Sequence, residues 1–271
     1  MRRLWPRLLL LAYAALVLAF LVAPILAIVP LSFNAGSFLT YPLDGLSLRW
    51  YAEVLTTERW LRALGNSLII AVPATALALV LGTFAAVGLA QARIRGKAVI
   101  TGLLISPMIV PTIIAAVGMY FFFAPLGLVN SFPGLILAHA ALGAPFVFVT
   151  VSATLATFDT SLVRAAASLG APPMVVFFRV VMPLIAPGLI AGGLFAFATS
   201  FDEVIVVLFL GGPGERTLPR EIFDGIREHV TPAITAVATI LIILATALLA
   251  AMEALPATLV LFFVADVLQA E

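Results

Sequence analysis

The fold class this sequence predicts is all-α, a polytopic integral membrane protein of about six transmembrane helices. Three observations carry that reading. The 271-residue chain is 63% hydrophobic and only 10% charged, with a mean hydropathy of +1.22. Soluble domains sit near 45–50% apolar and about 25% charged. Its apolar residues fall in runs long enough to cross a hydrocarbon core that needs about 20 helical residues. Twenty phenylalanines stand against four tyrosines and a single lysine, Lys97.

Taken in order, Met-Arg-Arg-Leu-Trp-Pro-Arg opens the chain and an apolar run at 8–33 follows. That run far exceeds the roughly 7–15 residues of a secretory signal core, so it reads as a retained first span. Between Gly45 and Gly65, Leu48, Tyr51 and Leu55 recur at helical intervals with Trp50 and Trp60 nearby, the pattern of an amphipathic helix at the membrane interface. Further spans are predicted at 67–90, 99–123, 132–157, 184–210 and 232–252, within a single transmembrane domain covering 1–271. Helices are required because lipid leaves no water to satisfy backbone polar groups. Prolines 24, 30, 73, 107, 111, 145 and 187 lie in or beside these spans and predict kinks.

Basic residues near span ends set the orientation. Arg2, Arg3 and Arg7, then Arg93, Arg95 and Lys97, then Arg164 and Arg179 put the N-terminus and the 91–98 and 158–183 loops in the cytoplasm. The outer side holds Arg49, Arg59, Arg62, Arg216, Arg220 and Arg227. The 211–232 segment is dense in charge for this chain. Beyond Met252, Glu253 and Pro256 precede an apolar run at 257–265 that is too short to span; the 253–271 tail reads as interfacial or partner-bound.

Several functions are excluded. With no cysteine there is no disulfide framework or thiolate chemistry. His139 and His229 have no second ligand at metal-binding spacing, so no metal site is expected. A net charge of +1 leaves no nucleic-acid footprint. No G-x-x-x-x-G-K-[ST] phosphate loop occurs, and no catalytic residue is assigned.

The connector at 159–183 is the most informative stretch. Asp159, Thr160 and Ser161 offer N-cap oxygens for a helix through Leu169. Gly170 suits the left-handed residue that ends a helix, and Pro172 and Pro173 block its continuation. A second short helix is expected from Pro173 to Met182, with Pro183 starting the next span. This stretch resembles the EAA loop of bacterial ABC-importer permeases, in which a Glu-Ala-Ala triplet precedes a glycine, followed by Phe and Leu-Pro. Ala165, Ala166, Gly170, Ala171, Phe177 and Pro183 fall on the pattern; Arg164 replaces its Glu and Met182 its Leu. The plain alternative is an amphipathic loop between spans.

The resemblance extends to Asn66-Ser67-Leu68 at the start of span two. It also covers the run from Ser200-Phe-Asp-Glu-Val through Gly211-Gly-Pro-Gly-Glu-Arg-Thr-Leu-Pro to His229, which is similar to the polyamine (spermidine/putrescine) branch. It implies a type I ABC-importer permease fold in the inner membrane, a second permease subunit, a cytoplasmic ATPase dimer docked at Arg164–Phe177, and a periplasmic solute-binding protein. ATP would be bound and hydrolysed by the ATPase, with no cofactor on this chain, and transport would proceed by alternating access. Iron(III), thiamine or a phosphonate are alternative cargoes. A carrier working without ATP, with intramembrane acids as ion sites, is the rival from another class.

Asp202 and Glu203 are the acids expected in span five. Burying a charge at the bilayer centre costs about 2.5–3.5 kcal/mol on insertion scales, so both should face protein or water. They are read as partners for a cationic solute near the outer mouth, as a hydrogen bond to a partner helix, or as plain interfacial acids. On the same span Gly188, Gly192, Ala196 and Ser200 form a small-residue stripe for close helix approach. Tyr120, Phe121, Phe122 and Phe123 are read either as a cation–π wall or as packing. His139 is expected to be a hydrogen-bonded packing residue.

Overall fold

The computed structural model describes residues 4–92, 94–157, 159–228, 230–247 and 249–250. The predicted tail at 253–271, Arg2, Arg3, Arg93, His229 and the end of the predicted sixth span lie outside them. The described residues are helical, and their one β-bridge is the isolated pair Asn34–Leu46. They divide into two compact units, one running to Leu61 and resuming at Ile222–Leu244, the other comprising Arg62–Glu221 and the described residues from Ala245.

In the first unit, α1 (Leu4–Leu31) is a 28-residue apolar helix that keeps Pro24 and Pro30 inside it. The chain then folds back so that the Trp50 indole N–H donates to the Asn34 carbonyl at 2.9 Å and Ser32 Oγ lies 2.6 Å from the Tyr51 hydroxyl. The predicted amphipathic helix is α2 (Arg49–Thr56), but the residues it buries are Trp50 and Val54. Leu48 and Leu55, expected on one face, are both exposed, which suits contact with the membrane interface. A shorter apolar helix, α12 (Pro232–Ala247), follows later in the chain.

The second unit is built on α6 (Phe132–Ala156), whose buried residues run from Gly134 to Val151 with Leu137, Ala141 and Val149 exposed among them. Ser131 starts it, its hydroxyl accepting from the Gly134 N–H. Helix α3 (Glu58–Gln91) begins nine residues before the predicted start at Ser67 and crosses as one 34-residue helix despite Pro73. At Gly82 it comes so near α6 that an added Cβ would sit 2.7 Å from the Ala144 carbonyl oxygen.

Two predicted spans are interrupted. The run at 99–123 is not a kinked helix but two, α4 (Lys97–Ile109) and α5 (Thr112–Phe123), bent by 105°. Val110 is extended because it precedes Pro111, and Pro111 has no N–H to continue the ladder. A 3₁₀ turn at Ala124–Leu126 follows α5.

The predicted span 184–210 likewise divides. Helix α7 (Ser161–Ser168) and α8 (Pro173–Val176) form the connector, and a π turn at Phe177–Val181 leads without interruption into α9 (Met182–Phe201). The chain breaks at 202–204 and resumes as α10 (Ile205–Leu210), before α11 (Leu218–Glu228). The described residues thus hold four long apolar helices, one broken pair and the shorter α12.

The small-residue stripe does what its spacing predicts. An added Cβ at Gly188 would overlap Thr154 Oγ1, and one at Gly192 would overlap Thr150 Oγ1; Gly143 of α6 faces Ala196. Helices α6 and α9 therefore pack backbone to backbone along most of their length.

Candidate functional site

The connector at 159–183 is held by backbone geometry. Asp159 accepts from the Ser161 backbone N–H at 2.8 Å and from its hydroxyl at 2.6 Å, which fixes the entry to α7. Those two bonds hold the Asp159 carboxyl below its ordinary value, the hydroxyl contributing most. At the other end the Ala171 N–H donates to the Ala166 carbonyl at 3.2 Å and the Gly170 N–H to the Ala167 carbonyl at 3.0 Å. With Gly170 at φ +84°, this is a Schellman motif, and three of the pattern residues build it: Ala166, Gly170 and Ala171.

Arg164 and Ala165 lie exposed on α7, and Pro183 is exposed on α9. Pro183 does not start the span as expected. It sits in the first turn after the π segment, where the Met182 N–H reaches back five residues to the Phe177 carbonyl. That register shift absorbs the N–H that Pro183 lacks, so the connector's second helix and span five are one rod of 29 residues. Phe177 stacks on Phe84 of α3 with ring centroids 6.5 Å apart, and both border an apolar groove of about 710 Å³ with Thr75, Met182 and Phe197.

Sequence reasoning missed the apolar side chains exposed around the Gly170 turn. Leu169 is 88% exposed and Met174 66%. The signal was present: a leucine and a methionine flank a glycine–proline turn in a loop assigned to the aqueous side.

At the far end of α9 the two acids part company. Asp202 follows the last helical residue and is exposed. Glu203 turns inward, and its Oε1 accepts from the Ile205 N–H at 2.7 Å and the Val206 N–H at 2.9 Å. It caps α10 rather than bonding a neighbouring helix, and its negative charge lies at the positive end of that short helix. Arg220 does the converse, donating to the Val207 and Gly211 carbonyls at 3.0 and 2.8 Å at the other end of α10. The acids therefore lie in a helix break and not within a continuous helix.

Two motifs distant in sequence meet beside this break. Asn66 Nδ2 donates to the carbonyls of Gly214 and Arg216, each at 2.9 Å, and Ser67 Oγ accepts from the Leu218 N–H at 2.9 Å. Glu215 folds back to accept from the Gly212 N–H at 3.0 Å. His139 is buried on α6 with Nδ1 2.8 Å from Ser200 Oγ, a hydrogen-bonded packing residue as expected. Of the aromatic run on α5, Phe123 is in the core, whereas Phe121 and Phe122 are largely exposed.

Residues 78–269 match the family described as the inner membrane component of binding-protein-dependent transport systems. The chain belongs to this family of permeases. The permease is 37% identical to the putrescine transport system permease protein PotI of Escherichia coli (strain K12), over 82% of each chain. It is 34% identical to the spermidine/putrescine transport system permease protein PotC of Haemophilus influenzae, over 88% of this chain and 92% of that one. Its fold is similar to that of a chain in a bacterial ABC transporter involved in the import of the acidic polysaccharide alginate. The TM-score is 0.70 at 18% identity, covering 92% and 96% of the two chains. At that identity the likeness speaks to the fold alone, which is that of a type I ABC-transporter permease. The permease is thus a multi-pass inner membrane component of a transport system.

Proposed function

We propose that this permease carries a polyamine, putrescine or spermidine, across the inner membrane as one of two permease subunits in an ATP-driven importer. A cytoplasmic ATPase dimer docks on the 159–183 connector, with Arg164, Ala165, Ala166, Gly170, Ala171, Phe177 and Pro183 contributing to the docking element. ATP is bound and hydrolysed there and not on this chain, and the N-terminus lies in the cytoplasm. A periplasmic binding protein delivers the solute.

The observation that carries this reading is the continuity of the connector with α9. A push on α8 is transmitted through the π turn along one helix that ends at Asp202. ATPase closure would so move the outer end of span five, which is what alternating access requires. Leu169 and Met174 supply apolar contact area for the docking partner. Arg164, where the family pattern has Glu, supplies a cation in place of an anion and pairs with an acid on the ATPase.

The polyamine assignment is supported by the relatives named for putrescine and spermidine transport. It is also supported by Asp202, an exposed carboxylate beside an intramembrane break. Glu203 is committed to capping α10, so Asp202 is the acid that meets the solute and Glu203 holds the break in shape. Asp202→Asn should lower putrescine uptake about tenfold or more, since a neutral amide loses the charge-assisted bond. Association with the ATPase should persist. Glu203→Gln should instead reduce the thermal stability of the purified permease. Loss of assembly in Asp202→Asn, with Glu203→Gln unaffected, would reverse these roles.

A further inference from the structure

The break between α4 and α5 has no assigned role, and its chemistry is specific. The Val110 N–H donates to the Ser106 carbonyl, and the N–H groups of Ile114 and Ala115 both turn to the Pro111 carbonyl. Pro111 has no N–H to offer Pro107. Among the described residues, the carbonyls of Pro107, Met108 and Ile109 accept no backbone hydrogen bond. They close the C-terminal end of α4, where the helix dipole places about half a negative charge.

These groups are not tucked into the core. Ile109 is 75% exposed, and Ile113 and Ile114 on the other side of the bend are 51% and 61% exposed. Irregular backbone with unpaired carbonyls is not stable against acyl chains; it persists at membrane depth only where protein covers it or water fills a cavity. The break is therefore covered by protein or opens onto water.

The second break is built alike. Helices α4 and α9 both pack on α6, and the short helices that follow, α5 and α10, pack against each other. Both helices so present carbonyl ends at their breaks, one of them followed by Asp202. Discontinuous helices whose carbonyl ends meet a cation are a recurring construction in transporters.

We propose that the α4–α5 break is a second ammonium subsite on the solute pathway. One alkylammonium group donates to the carbonyls of Pro107, Met108 and Ile109 while Asp202 receives another. The ligand class is a linear polyamine, with ammonium groups joined by an apolar chain that Ile109 and Ile113 flank. The inference rests on reading Asp202 as the pathway acid.

The test is putrescine uptake by proteoliposomes holding the complete transporter. Ile109→Lys places a tethered ammonium at the break and should raise the KM for putrescine about tenfold or more by charge repulsion and competition. Ile109→Gln, similar in length and neutral, should stay within about twofold. An unchanged KM in Ile109→Lys overturns the proposal, as does an equal loss in both variants, which would report packing and not charge. If Ile109→Lys does not assemble with the ATPase, Pro111→Ala takes its place. It returns an N–H to the Pro107 carbonyl and should raise KM, and an unchanged KM again overturns the subsite. Asp202→Asn is measured in parallel. If it is impaired while the α4–α5 variants are normal, only the second subsite fails. If all are normal, or the parent takes up no putrescine, the pathway reading fails with it.

Discussion

At Gly170 one backbone angle decides the shape of the whole connector. An added Cβ there would meet nothing within 4 Å, so space does not require glycine. The requirement is φ +84°, a region that costs an L-residue about 1–2 kcal/mol. Gly170→Ala should therefore lower the affinity for the ATPase only modestly. Gly170→Val, with a β-branched side chain, should abolish copurification while the permease still inserts and purifies; normal copurification by Gly170→Val would refute the Schellman turn as the docking geometry. This position was legible because a left-handed helix end has a sequence signature, a glycine followed by prolines. Glu203 was legible only as an acid. Its role as a cap depends on a break after Phe201, and Ser200-Phe-Asp-Glu-Val contains neither glycine nor proline to announce one. The bonds from Asn66 and Ser67 to Gly214, Arg216 and Leu218 join residues about 150 positions apart. Local pattern carries no information about such pairing, although both motifs stood out individually.

Among the elements, α6 and α9 show how spacing alone can predict packing. Four small residues every fourth position leave a groove in α9 that the backbone of α6 fills, and the glycines at 188 and 192 are the closest points. Gly192→Leu should destabilise the purified permease by about 1–3 kcal/mol through overpacking. The check is its thermal unfolding in detergent, where an unchanged midpoint would contradict the close approach. The prolines were harder to read. Pro73, Pro145 and Pro187 sit inside unbroken helices, while Pro111 ends one. Burial does not make the difference, since Pro24 lies in the unbroken and exposed α1; the difference lies in the backbone, where Val110 turns extended before Pro111. The π turn before Pro183 was not legible either, because the sequence shows only a proline and not the i+5 bond that accommodates it.

For the molecule as a whole, hydropathy located the membrane-spanning segments and the connector motif identified the kind of machine. The boundaries shifted where a helix continues beyond its apolar run, as α3 does back to Glu58, since amphipathic extensions fall below the hydropathy of a span. One continuous helix runs from Pro173, beside the Gly170 turn, to Phe201, beside Asp202. The most direct test is putrescine uptake into proteoliposomes containing this permease with its second permease, ATPase and binding protein. Uptake should require ATP and the binding protein, and it should stop in Gly170→Val with the membrane components still present. Uptake driven by an ion gradient without ATP, or by this chain alone, would contradict the account.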